Sequence, residues 1–214
     1  MKPLRIALTK GRLEKTTIEL FQKIGYNCDE VINKGRRLIL PIGDNDFEVV
    51  LAKAADVITY VEHGVCDLGV VGKDTILENG NSFYELLDLG FGKCRFALAT
   101  KKGVDFYSGY NTKTIATKYP NVTRAFFDDK NMDVRIIKIE GSVELAPLVG
   151  LSDVIVDIVE TGSTLRANGL DVLEEVVPLS ARLIVNKVSM KMERKRIMKL
   201  VEDFDRITKE RNSI

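Results

Sequence analysis

Short β-branched runs alternate with helix-patterned stretches along the whole chain, and this alternation limits the fold more than any other feature. Leu4–Thr9 reads as a strand, and Leu13–Ile24 follows with Leu13, Thr17, Leu20, Phe21 and Ile24 on one helical face. "EVVLA" (48–52) and "DLGVVG" (67–72) predict strands, and "AADVITYVEHG" between them predicts a helix stopped by Gly64. "CRFALAT" (94–100), "KTIAT" (113–117), "DVRIIKI" (133–139), "VIVDIV" (154–159) and "ARLIVN" (181–186) continue the series of strands. Helices are expected from Pro120-Asn121 and around Glu144–Leu151. Such switching between strand and helix periods predicts α/β architecture with mostly parallel sheet. About ten strands are many for one small sheet, so two lobes are expected. The chain is expected to cross near residues 93–95 and return near 179–181, giving lobe I as 1–93 with 180–214 and lobe II as 94–179. "KKGVDFYSGYNTK" (101–113) is the longest loop candidate, and one last helix is expected from Ser189 to about Arg211.

Composition enters mainly by exclusion. The 214 residues are 45% hydrophobic and 29% charged, enough for a real core, and the formal net charge is +1. That balance gives no general attraction to nucleic acid or an anionic membrane, so any anion site must be local. The basic start of the last helix (Lys191, Arg194, Lys195, Arg196, Lys199) has no interleaved aromatics and reads as a solvated face. No run approaches a membrane span, and the N-terminal stretch enters a strand without a leader pattern, so a cytoplasmic location is expected. Cys28, Cys66 and Cys94 are an odd, widely spaced set and read as reduced structural thiols. His63, the single histidine, precedes Gly64 at a helix end, which leaves no zinc-type site and no basis for a serine triad.

Three segments carry chemistry. "GVVGKDT" (69–75) has two residues between Gly69 and Gly72 where a Walker A loop has four, so it does not wrap a triphosphate that way. It still sets Gly72, Lys73 and Asp74 at a strand's carboxyl end, as site wall or plain turn. In "TKGRL" (9–13), Lys10 and Arg12 flank Gly11 at a helix start, where cations oppose the helix dipole unless an anion lies between them. The strongest segment is "VIVDIVETGSTLRANGL" (154–170). Gly162 frees the backbone, Ser163 and Thr164 add hydroxyls, and the N–H groups of a helix start would cradle a phosphate. Asp157 and Glu160 are suited to sugar hydroxyls or to a phosphate-bound Mg²⁺. The alternative is an ordinary capped helix with Thr161 or Ser163 as N-cap.

"VDIVETGSTL" resembles the phosphoribosyl diphosphate (PRPP) loop of type I phosphoribosyltransferases, although Val156 stands where that loop has its first acid. A fuller resemblance, spread over nearly the whole chain, is to the short form of the ATP phosphoribosyltransferases. It is carried by "IALTKGRL" (6–13), "GRRLILPI" (35–42), "DVITYVEHGVCDLGVVGKD" (56–74), "ATKYPNVTRAFF" (116–127), "GSVELAPLVGLSDVIVDIVETGSTLRANGL" (141–170) and "ARLIVN" (181–186). Lys53 and Ile58 depart from it, standing where arginine and proline are expected.

The resemblance implies an α/β fold of two lobes, of the periplasmic-binding-protein type II kind, with the active site in the cleft. It implies Mg²⁺ dependence and the reaction ATP + PRPP → N1-(5-phosphoribosyl)-ATP + diphosphate, the first step of histidine biosynthesis. It also implies a separate regulatory subunit similar to histidyl-tRNA synthetase, in a hetero-octamer. Within it, Thr161, Gly162, Ser163 and Thr164 are expected on the 5-phosphate with Arg166 nearby, and Asp157 and Glu160 on the ribose and Mg²⁺ region. Glu140, Gly141 and Ser142 would line the same site. Lys10 and Arg12 would carry catalysis by facing the departing diphosphate or the ATP phosphates, while Gly11, Gly72, Lys73 and Asp74 would bind ATP. The competing readings are a non-catalytic bilobed binding module and a phosphoribosyltransferase acting on a free base.

Overall fold

A computed structural model describes residues 2–80, 82–109 and 111–212. Tyr110, within the expected long loop, lies outside the described residues. The chain divides into two compact units, Met1–Gly92 with Ser180–Ile214, and Lys93–Leu179.

The first unit contains β1 (Leu4–Thr9), α1 (Arg12–Lys23), α2 (Asp29–Ile32), β2 (Ile39–Ile42), β3 (Phe47–Ala52), α3 (Ala54–Glu62), β4 (Leu68–Gly72), α4 (Lys73–Asn79) and β5 (Phe83–Asp88). The second unit follows with β6 (Cys94–Lys101), β7 (Lys113–Thr117), α5 (Pro120–Asp129), β8 (Val134–Lys138), α6 (Leu145–Leu148), β9 (Val154–Val159), α7 (Ser163–Ala167) and β10 (Leu170–Leu179). The chain then returns to the first unit as β11 (Ala181–Asn186), α8 (Lys187–Met192) and α9 (Arg194–Asn212).

The first sheet has the order β2-β3-β1-β4-β11-β5, the second β10-β6-β9-β7-β8. Both are mixed rather than mostly parallel. Parallel pairing joins β3, β1 and β4 in one unit and β9, β7 and β8 in the other. The remaining pairs are antiparallel because β2 turns back through a tight hairpin, β6 runs against both β9 and β10, and β11 runs against both β4 and β5. That hairpin uses Gly43 and Asn45, both at positive φ. The edge strands β2, β5 and β10 escape the periodicity argument: β2 is only four residues long and holds Pro41, β5 and β10 carry acids among their apolar residues, and β10 is broken by bulges.

α1 buries Thr17, Ile18, Leu20 and Phe21 against the first sheet. Phe21 meets Tyr26, Phe47 and Phe204 edge-on with centroids 5.1–5.9 Å apart, which ties α1 to β3 and α9. The expected single last helix is two helices with a break at Glu193. Asn186 caps α8, accepting from the N–H groups of Val188 and Ser189, and Ser189 Oγ donates to Asp67. α9 follows a different constraint, the buried stripe Ile197, Leu200, Phe204 and Ile207. The helix expected around Glu144–Leu151 is the single turn α6, ended by Gly150 at φ 77°.

Gly69 explains itself by packing. A Cβ there would stand 2.8 Å from Val61 and 2.9 Å from Val57, so the glycine lets α3 lie close on β4. His63 closes α3, its N–H donating to Thr59 O. Cys28 and Cys66 are buried, and burial raises their thiols to about 11 and about 12, as inert structural cysteines require.

Candidate active site

β9 is a central strand buried on both faces. Val154 and Val156 enter one apolar cluster, while Ile155 and Val159 enter the other. Asp157 falls by alternation on the second face, opposite Ala97 of β6. The cluster on that face mixes Ala97, Ala99, Ala116 and Ala146 with larger residues such as Ile155, Val159 and Leu165. The Asp157 carboxyl accepts the N–H of Ile158 at 2.8 Å. Burial pushes its pKa up, the Ile158 hydrogen bond pulls it down, the Glu144 carboxylate pushes up and Lys118 pulls down.

Beyond β9 the chain turns through Gly162, at φ 72° and ψ 10°, into α7. Gly162 itself is the N-cap, not Thr161 or Ser163. The Thr161 hydroxyl instead accepts the Ser163 N–H at 3.3 Å and lies 3.0 Å from Ser163 Oγ. A Cβ on Gly162 would stand 3.1 Å from Arg166 Nη1, so the guanidinium lies against the turn. Glu144, Asp157 and the stretch from Ile158 to Leu165 line a polar depression of about 300 Å³.

Parallel pairing brings further residues to this edge. Thr117 of β7 lies opposite Val156 and Lys138 of β8, its hydroxyl donating to Val156 O at 2.7 Å. Lys118, Glu140, Gly141 and Ser142 therefore leave the sheet at the same end as Asp157. Glu140 is exposed and paired with Lys138 at 2.8 Å, and that pairing lowers its pKa. Lys118 and Glu144 have no distinguishing sequence signal; the register of β7 with β9 sets Lys118, and the packing of α6 sets Glu144, near Asp157.

The other predicted residues belong to the first unit. Lys10 N–H donates to Ala52 O, and Leu8 of β1 pairs with Val70 of β4. Lys10–Arg12, Lys53 and Gly72–Asp74 thus gather at the carboxyl ends of parallel strands, where α/β sheets take ligands. Gly11, at φ 104°, caps α1 and donates its N–H to Glu14 Oε2 at 3.2 Å. The Glu14 carboxylate, buried and paired with Lys34, already answers part of the positive helix start. Lys10 and Arg12 remain exposed at the rim.

At the β4 turn, a Cβ on Gly72 would stand 2.0 Å from Asp74 Oδ1, so only glycine admits this carboxylate position. The Lys73 ammonium is engaged by Glu85 at 2.6 Å, and Arg182 links Glu85 to Asp88. Its backbone N–H donates to Ser180 O. Lys73 thus fastens the turn. Ile58, where the resemblance expects proline, is buried inside α3.

Among the described residues no three His, Cys, Asp or Glu side chains are grouped to hold a metal ion, and no helix is long and apolar enough to cross a membrane.

The ATP phosphoribosyltransferase family model matches residues 53–206. An ATP phosphoribosyltransferase of Clostridium kluyveri is 58% identical over 200 residues, 94% of this chain and 91% of that protein. A chain of the ATP phosphoribosyl transferase (HisG:HisZ) complex from Thermotoga maritima superposes with TM-score 0.81 at 35% identity, covering 97% of this chain and 99% of that one. The periplasmic aliphatic sulphonate binding protein SsuA from Escherichia coli shares the fold at TM-score 0.59 and 10% identity, covering 97% of this chain and 73% of that one. With a family model over most of the chain and a relative 58% identical across nearly all of it, the chain belongs to the ATP phosphoribosyltransferase family.

Proposed function

We propose that this chain transfers the phosphoribosyl group of PRPP to N1 of ATP and releases diphosphate, as the first step of histidine biosynthesis. The observation that carries the reading is the edge beyond β9, where a half-buried Asp157 adjoins the Thr161–Thr164 turn. Thr161 to Thr164 hold the 5-phosphate, with Arg166 against the turn. Asp157 and Glu160 accept from the ribose hydroxyls. Glu140, Gly141 and Ser142 complete the rim.

Adenine N1 displaces diphosphate at C1 of the ribose through a cationic, oxocarbenium-like transition state. No covalent enzyme intermediate is needed, so positioning and electrostatics do the catalysis. Lys10 and Arg12 face phosphate oxygens. Gly11, Gly72 and Asp74 adjoin the ATP, with Lys73 fixing their turn. Mg²⁺ would be held mainly by the substrate phosphates, with Asp157 or Glu160 nearby, and would supply charge neutralisation there. A cytoplasmic enzyme working with a regulatory subunit similar to histidyl-tRNA synthetase, in a hetero-octamer, completes the reading. The Thermotoga maritima relative, solved as a HisG:HisZ complex, supports that partner.

The test is diphosphate release from PRPP with Mg²⁺, supplied with ATP or with free bases, with and without the partner subunit. Release with ATP alone supports the proposal; release with free bases only, or none even with the partner, rejects it. Arg12→Ala should lower kcat/KM by about 100-fold, as expected for removing one cation from a developing anion. Steady-state kinetics with ATP varied would show it, and an unchanged rate would remove Arg12 from the chemistry.

A further inference from the structure

At the β9 edge the acids outnumber the cations that serve them. Glu140, Glu144, Asp157 and Glu160 all lie at or beyond the carboxyl ends of β8 and β9. Lys138 is paired with Glu140, and Arg166 lies against the Gly162 turn. PRPP brings a further phosphate and a diphosphate to this rim. A polyanion bound beside several carboxylates needs a cation not already paired in the protein.

Lys118 occupies the position where such a cation would act. Thr117 is in register with Val156 on one side and Lys138 on the other, and Ile139 N–H donates to Thr117 O at 2.9 Å. Lys118 therefore leaves the sheet between Asp157 and Glu140. Its side chain is exposed and has no hydrogen bond or ion pair among the described residues. Its field reaches both acids, opposing the burial that raises Asp157 and adding to the Lys138 pairing that lowers Glu140. Without ligand it moderates the acids; with PRPP bound, its ammonium is available to the substrate.

We propose that Lys118 binds the diphosphate of PRPP on the β7 side of Asp157 and stabilises that group as it leaves. This rests on the PRPP reading of the site. The C1–O bond breaks with both electrons retained by the diphosphate oxygen, and the adenine N1 lone pair forms the new C1–N bond. The adenine amino group then loses a proton to solvent. The fixed charge of Lys118 offsets the charge gained by the departing oxygen and takes no proton in the step.

Calorimetric titration of wild type, Lys118→Met and Lys118→Arg tests this with three probes: Mg²⁺-PRPP, Mg²⁺-diphosphate and ribose 5-phosphate. Lys118→Met should weaken PRPP and diphosphate by about 10- to 100-fold and change ribose 5-phosphate by less than about 2-fold, the loss of one charge-assisted contact. Lys118→Arg should recover most of the loss, and thermal melting should match wild type because the side chain is exposed. Unchanged diphosphate binding, or equal weakening of all three probes, overturns the proposal. Wild type that binds no PRPP would reject the PRPP site itself, a failure seen before any variant is compared.

Discussion

Asp157→Asn should lower kcat/KM for PRPP by about 100- to 1,000-fold while raising the melting temperature at neutral pH. The two effects share one cause. Asp157 lies in a central strand among alanines, where burial raises its carboxyl pKa above the value in the unfolded chain. Between those two pKa values the folded protein binds more protons than the unfolded one, so stability falls as pH rises through that window. Above it, the fold bears the whole cost of keeping this carboxylate charged. Asparagine removes that cost and still accepts the Ile158 N–H through its side-chain oxygen. In the proposed site, however, the ribose hydroxyls would lose an ionised acceptor. Melting curves from pH 4 to 8 should show the variant's advantage growing with pH and vanishing at the acid end. Wild-type kinetics with PRPP would remove Asp157 from the ribose.

Gly162→Ala should weaken PRPP binding by at least about 10-fold and destabilise the protein by about 1 kcal/mol. Two independent penalties meet at this residue. At φ 72° the backbone is in the left-handed region, which alanine resists, and the new methyl would press on Arg166 Nη1 from 3.1 Å. The stability cost follows from the first. The binding loss follows from displacing the guanidinium and reopening the Thr161–Ser163 turn. Gly103→Ala separates them: φ is 80° there, yet nothing lies within 4 Å of the added Cβ. That variant should show a similar loss on chemical denaturation with wild-type PRPP affinity. Equal loss of affinity in both would assign the Gly162 effect to general destabilisation.

The segments legible in the sequence are those whose local pattern is their structure. β9 is buried on both faces, so its apolar run is unbroken but for Asp157, and the following glycine and hydroxyls mark a turn in any context. β1, β3 and β4 are read for the same reason. Of the edge strands, β8 keeps a β-branched run and was read, while β2 is four residues with a proline and β5 and β10 carry acids among their apolar residues. The break at Glu193 was hidden too: the helical spacing continues through it, while α8 is anchored at its start by the Asn186 cap and the Ser189–Asp67 bond and α9 by its own buried stripe.

The site followed the same division. The turn of Thr161–Thr164 after Asp157 and Glu160 was readable because contiguous residues supply it, and local covalent geometry needs no distant partner. Residue identity could not show that Gly69 serves packing while Gly72 makes room for Asp74, since that depends on what approaches each Cα. Nor could it show that the Lys73 ammonium is taken by Glu85, 12 positions further along the chain. Lys118 and Glu144 are ordinary charges in one dimension. Strand register places Lys118 beside Asp157, because backbone hydrogen bonds between β7, β8 and β9 fix which distant residues leave the sheet side by side, and the packing of α6 on the same face brings Glu144 there.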